Sequence, residues 1–257
     1  MTQSRLSEKF ALITGAASGI GAATARRFVD EGAKVLLADL QTERAQQLAN
    51  ELGPKATSVH LDVRSEDSWR DAMQAAESLG ELTTVVNSAG ISIPGSIEDV
   101  TLEGFRNTLA INLEGVFLGC KFAVASLKGV RGASIINVAS TLGVQSGALF
   151  AAYSASKGGV RLLSKSVALH CAEQGYDVRV NCILPGAIHT EMVEGYVAAG
   201  EQAGQTRDAV LNGFASGIPM SRLGRPDEPA NAIVFLASDE SSFTSGGELA
   251  VDGAMLA

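Results

Sequence analysis

The chain has 257 residues, of which 46% are hydrophobic and 19% charged, with a formal net charge of −8. That balance belongs to a folded chain and excludes extended disorder, and the acidic excess would repel nucleic acid and anionic membrane, so neither is expected as a partner. The length admits one large domain or two small ones. No composition break or linker divides it, so a single domain over 1–257 is expected.

The opening stretch MTQSRLSEKFALIT has one short apolar run that leads straight into a glycine motif. Neither a secretory leader nor a membrane span is expected there, and the expected location is cytoplasmic. Short β-rich runs then recur at 10–14, 34–38, 56–61, 83–87, 134–138, 178–184 and 247–251. Helical periodicity fills about 19–31, 41–52, 65–79, 99–127, 151–173 and 227–237. This alternation predicts an α/β, doubly wound Rossmann fold: a mostly parallel seven-stranded sheet with helices on both faces. The segment 186–225, with glycines at 186, 195, 200, 204 and 213, breaks the rhythm and is expected to form a mobile substrate-covering flap. Cys120, Cys171 and Cys182 lie in apolar-periodic segments and read as reduced, buried thiols. No Cys/His spacing suits a metal, and none is expected.

The first chemical signal is Thr14-Gly15-Ala16-Ala17-Ser18-Gly19-Ile20-Gly21, which follows the first strand and opens the first helix. Glycines there permit a tight turn and close backbone approach, and the helix N-terminus offers free N–H groups to phosphates. A dinucleotide site is the reading that context favours. Asp39 ends the second strand, where a carboxylate accepts from an adenosine ribose and repels a 2′-phosphate. With no Arg or Lys among Ala16, Ala17, Leu40 and Gln41 to receive that phosphate, and Arg44 expected on a solvated face, NAD is favoured over NADP. Asp62-Val63 and Asn87-Ser88-Ala89-Gly90 end the third and fourth strands, where a nucleotide must pass.

The second signal is YSASK, in which Tyr153 and Lys157 stand four residues apart on one helical face. A nearby ammonium stabilises a phenolate, so Lys157 is expected to lower the Tyr153 pKa and make the phenol a usable acid or base. Ser140, at the end of the fifth strand and directly before that helix, is expected to hold a substrate oxygen beside it.

Together these stretches resemble the short-chain dehydrogenase/reductase family, from Leu6 almost to the C-terminus. The resemblance rests on TGAASGIG, Asp39, Asp62, NSAG, INLEGVF, Ser140, YSASK, PGAIHT and GGELAVDG. It implies a catalytic group of Ser140, Tyr153 and Lys157 completed by Asn112, which helps keep a proton-relay water in place. It also implies cofactor contacts from Gly15, Ser18, Gly19, Ile20, Gly21, Asp39, Asp62, Val63, Asn87, Ala89, Gly90, Tyr153, Lys157, Pro185, Gly186, Ile188 and Thr190. One departure is Asn87-Ser88, where the family usually pairs two asparagines. EQGYDVRVN and FLASDESSFTSGGEL look like the bacterial NAD-dependent 3β/17β-hydroxysteroid dehydrogenases, which implies a homotetramer.

The expected reaction is reversible oxidation of a secondary alcohol to a ketone by NAD, with Tyr153 as general acid/base. Leu142, Val144, Leu149, Met192, Val193, Tyr196 and Phe214 would wall a pocket for a bulky, cyclic or steroid-like substrate. Two alternatives share the scaffold: a 3-oxoacyl-carrier-protein reductase, for which Lys128 and Arg131 are thin support, and a non-catalytic NAD-binding sensor.

Overall fold

The computed structural model describes residues 4–257. Seven strands form one sheet: β1 (Phe10–Thr14), β2 (Lys34–Asp39), β3 (Ala56–His60), β4 (Thr84–Asn87), β5 (Ala133–Val138), β6 (Val178–Pro185) and β7 (Glu248–Val251). Their order is β3-β2-β1-β4-β5-β6-β7, and all six pairings are parallel rather than mostly so.

Side-chain alternation splits the core into two layers. Phe10, Leu12, Leu36, Val85, Ile135 and Val180 face one side and pack with Trp69, Val116 and Val160. Those three come from α3 (Glu66–Leu79), α5 (Gly115–Leu127) and α6 (Ala151–Glu173). Ala11, Ile13, Val35, Leu37, Val86 and Ile136 face the other side and meet Phe28, Leu48 and Ile233. Their helices are α1 (Gly19–Asp30), α2 (Thr42–Leu52) and α9 (Asp227–Ala237). Burying each such large side chain contributes roughly 1.5–3 kcal/mol. Trp69 is fully buried, and its indole N–H donates to the Val63 carbonyl at 3.0 Å, so no donor is stranded.

Strand order reverses at β1, which has β2 on one side and β4 on the other. The crevice beyond the carboxyl ends of β1 and β4 is therefore the place where a ligand fits such a sheet. Contact there is close: a Cβ on Gly15, whose φ is +65°, would come within 2.7 Å of the Ala89 backbone. The Thr14 hydroxyl accepts from the Ser88 and Ala89 amides at 3.0 and 3.1 Å, tying the two loops together.

Three features differ from the sequence reading. The 99–127 stretch is α4 (Leu102–Leu109), a π-helical turn (Ala110–Glu114) and α5. The segment after β6 is not a plain flap but carries α7 (Glu191–Gln202) and α8 (Arg207–Ser216). A 3-10 turn (Thr141–Gly143) and a loop separate Ser140 from α6, so the serine is not directly before that helix. The continuous helix Leu102–Leu127 is long and apolar enough to cross a membrane. Here it is a core helix, with Val116, Leu118, Cys120, Ala123 and Leu127 buried.

Candidate active site

At the glycine turn, Ser18 caps α1 with extended backbone and makes no side-chain capping bond, so its hydroxyl is free. A Cβ on Gly21 would lie 2.2 Å from the Gly15 carbonyl oxygen, so only glycine lets the helix start this close to the strand. Amides in a first helical turn have no carbonyl below them and seek an anion. The Gly19 N–H already holds one, the Glu191 carboxylate, at 3.0 Å. The turn thus fits the phosphates of a dinucleotide in shape and in charge preference. Asp39, nearly buried at the end of β2, accepts from the Ala17 amide at 2.9 Å and the Gln41 amide at 2.8 Å. These two bonds fix a negative charge at the carboxyl end of β2, beside the glycine turn. Arg44 does not simply face solvent: it reaches Glu191 at 3.3 Å and the Gln41 amide oxygen at 3.3 Å.

At the other end, Lys157 is 3% exposed and donates to the Val138 carbonyl at 2.8 Å. Its Nζ lies 5.7 Å from the centroid of the Tyr153 ring, so the two side chains share a face of α6 as their spacing requires. Burial brings the Lys157 ammonium down to about 8. Burial also pushes the Tyr153 phenol up to about 12, with the Ser140 hydroxyl partly offsetting it. The expected lowering by Lys157 is therefore not seen: removal from water dominates, and the offset comes from Ser140 rather than from the ammonium. Ser140 also accepts from the Leu142 amide at 3.1 Å, which fixes its oxygen on the phenol side of the 3-10 turn.

Asn112 sits within the π-helical turn and is fully buried. Its Oδ1 accepts from the Ile91 N–H at 2.8 Å, and its Nδ2 donates to the Ile91 carbonyl at 2.8 Å and the Ser156 hydroxyl at 3.2 Å. The side chain is spent on clamping the β4 loop to α6, so any hold on a relay water falls to the main chain of the turn. Gly90 lies beside this group, since a Cβ there would be 3.3 Å from Asn112 Oδ1 and 3.4 Å from Lys157 Nζ.

Other expected contacts are placed less simply. Asn87 turns away from the crevice: it donates to Asn137 Oδ1 at 2.8 Å, and a Cβ on Gly119 would lie 2.1 Å from its Oδ1. Its amide lies in the core against α5, so a cofactor contact from Asn87 would come from its main chain. Asp62 forms a paired bond with Arg64 at 2.9 and 2.7 Å, and that guanidinium holds its carboxyl below the usual range. Val63 is buried under α5. Ala89 sits against Gly15, while Ile20 packs on the core. Pro185 and Ile188 are buried, and the Gly186 amide donates to Val251. Thr190 caps α7 and lies against Gly19.

Aromatic rings close the catalytic end. Phe150 meets the Tyr153 ring edge-on at 6.5 Å and Tyr196 at 6.2 Å, and Tyr196 packs on Phe214 at 5.7 Å. The chain of rings thus runs from α8 through α7 to the phenol. Val144 and Leu149, on the stretch before Phe150, and Ile93 are exposed, whereas Val193 is buried. Two residues that sequence reasoning left unassigned, Thr14 and Glu191, hold the cofactor end together. A hydroxyl ending β1 gave a faint signal, and an acid opening a helix gave none beyond ordinary capping.

This sheet order, with a glycine turn at its switch point and a tyrosine and lysine paired on α6, defines a short-chain dehydrogenase/reductase. The chain belongs to that family, which works with a nicotinamide cofactor. A family model described as enoyl-(acyl carrier protein) reductase matches residues 15–255. The chain is 42% identical to a 2,5-dichloro-2,5-cyclohexadiene-1,4-diol dehydrogenase of Sphingobium indicum, over 97% of this chain and 96% of that one. It is 42% identical to a 3-beta-hydroxysteroid dehydrogenase of Comamonas testosteroni, over 98% and 97%. It is 41% identical to an NADP-dependent (R)-specific alcohol dehydrogenase of Lentilactobacillus kefiri, over 97% of each.

Proposed function

We propose that this protein is an NAD-dependent dehydrogenase that interconverts a bulky or cyclic secondary alcohol and its ketone, with Tyr153 as general acid/base. The observation that carries this reading is the Tyr153 phenol, flanked by Ser140 and Lys157, in the same crevice that presents Asp39 at its far end. The chemistry supplied by a bound nicotinamide is acceptance or donation of hydride. In reduction the Tyr153 phenol gives its proton to the carbonyl oxygen, and in oxidation the phenolate, once its own proton has left to solvent, takes the hydroxyl proton. Ser140 donates to the same substrate oxygen and steadies its developing charge. Lys157, anchored on Val138, supplies positive charge beside the ring and would hold a ribose hydroxyl of the bound cofactor.

Asp39 supports NAD, because its carboxylate is fixed by two amides and cannot swing away from a 2′-phosphate. The exposed apolar side chains of Ile93, Val144 and Leu149 and the ring chain that meets the phenol support a large, flat, apolar substrate. The two relatives named for a ring diol and a hydroxysteroid lean the same way. Three buried free thiols fit a reducing, cytoplasmic setting. Apolar side chains left in the open on α5 and α6 support a homotetramer.

The test is nicotinamide reduction with a panel of cyclic and acyclic secondary alcohols, run with NAD and with NADP. NAD should be preferred by about tenfold or more, since two like charges about 4 Å apart near a protein surface repel by roughly 4 kcal/mol, well above the roughly 1.4 kcal/mol of a tenfold change. Tyr153→Phe should bind NAD with unchanged affinity and lose at least about 100-fold in kcat. A preference for NADP overturns the role given to Asp39, and an active Tyr153→Phe overturns the role given to the phenol.

A further inference from the structure

The amide at the head of α1 carries a carboxylate from a residue 172 positions further on. Glu191 Oε2 accepts from the Gly19 N–H at 3.0 Å, while its other oxygen meets Arg44 Nη2 at 3.3 Å. Glu191 is the first residue of α7, which holds Tyr196 against Phe150, the ring that meets Tyr153. Its neighbour Thr190 lies directly on the turn: a Cβ on Gly19 would be 3.4 Å from the threonine Cβ and Cγ2. The other acid of that first helical turn, Glu194, is committed elsewhere, to Arg207 at 2.6 and 2.8 Å and to His189 at 2.6 Å. Glu191 alone is aimed at the phosphate seat.

From this arrangement we infer that Glu191 is an intramolecular stand-in for the dinucleotide's pyrophosphate, a latch that ties α7 to the cofactor site and sets cofactor affinity. The inference rests on the reading of the glycine turn as the dinucleotide seat. One N–H cannot serve a carboxylate and a phosphate at once, and two anions side by side repel each other. A phosphate that takes the Gly19 amide therefore expels Glu191, and the first turn of α7 loses its tether in the same event. Cofactor arrival and the freeing of α7 become one equilibrium, in which each is opposed by the latch and favoured by its release. Both partners are about half exposed, Arg44 at 48% and Glu191 at 54% of side-chain area, so the latch is weak enough for a ligand to displace.

Isothermal titration of the ligand-free chain with ADP, which carries two phosphates, and with adenosine, which carries none, isolates the effect. Glu191→Ala should bind ADP about 2–5-fold more tightly than the wild type, the size expected for one exposed anion at a helix N-terminus. Glu191→Gln should fall between the two, because its amide oxygen still accepts from Gly19 without the charge. Adenosine affinity should be the same in all three. In the ligand-free Glu191→Ala chain, amide exchange over 190–202 should be faster than in the wild type. If ADP binds the variants no more tightly than the wild type, the latch is overturned and the dinucleotide site stands. If the wild type binds neither ADP nor NAD, the dinucleotide reading falls and the latch goes with it.

Discussion

Lys157 carries its charge into a site almost closed to water, and the protein bears a cost for it. Its ammonium titrates at about 8, against an ordinary value of 10.5, because burial disfavours the charged form. The unfolded chain therefore binds the extra proton more tightly across the window from about 8 to 10.5. Stability contributed through this residue is lowest below that window and recovers as pH rises through it. Lys157→Met should accordingly be more stable than the wild type at pH 7 by about 1–3 kcal/mol, with the loss of the bond to Val138 trimming the gain. The gap should narrow toward pH 10, and turnover should be nearly lost; thermal melts of both proteins across pH read it. A variant that melts lower at pH 7 would show that the lysine is held at no cost. The spacing of Tyr153 and Lys157 and the strand-end place of Ser140 were legible from the chain alone because helical period and strand ends place side chains, whereas Asn112 was reached only through the family resemblance. The proton affinities of Tyr153 and Lys157 were not legible, since these depend on how much protein surrounds each group. Asn87 shows the same limit: its position at a strand end was clear, but the burial of its amide against α5 was not.

Strands were the most readable elements, because continuous runs such as those of β1 and β5 are apolar on both faces. The π-helical turn was hidden, since a change from i+4 to i+5 bonding barely alters the apolar period. Helices α7 and α8 were hidden for a different reason: Gly195, Gly200 and Gly213 read as breakers, yet each sits inside helix. That difference can be measured. A Cβ on Gly195 or Gly213 meets nothing within 4 Å. Ala at either place should stabilise the protein by about 0.5–1 kcal/mol through the unfolded chain. Gly119 on α5 is the opposite case, because its Cβ would strike Asn87, whose amide is bonded to Asn137. Gly119→Ala should cost about 1–3 kcal/mol, in line with overpacking of a filled core. Denaturant unfolding of the three variants checks the sign; a Gly119→Ala protein as stable as the wild type would mean that α5 can back away from the sheet.

For the molecule as a whole, a doubly wound parallel sheet followed from strand and helix alternation, but the strand order and the surface had to be seen. Leu162 and Leu169, 70% and 63% exposed, stand seven residues apart and so on one stripe of α6, and Phe117 of α5 is half exposed. Side chains of this size left in water on two neighbouring helices fit a contact between copies of the chain. Sedimentation should give a multiple of the 26.5 kDa chain mass, and Leu169→Glu should shift it toward the monomer. A wild type that sediments at 26.5 kDa would remove the assembly from the account. The line of rings from Phe214 through Tyr196 and Phe150 to Tyr153 has a further meaning at this scale. The proton donor stands on the rigid framework, while the outermost ring belongs to a separate pair of helices that contribute nothing to the sheet. New tastes in substrate can therefore be acquired by editing α8, at a distance and one ring at a time, with the reactive hydroxyl left where it is.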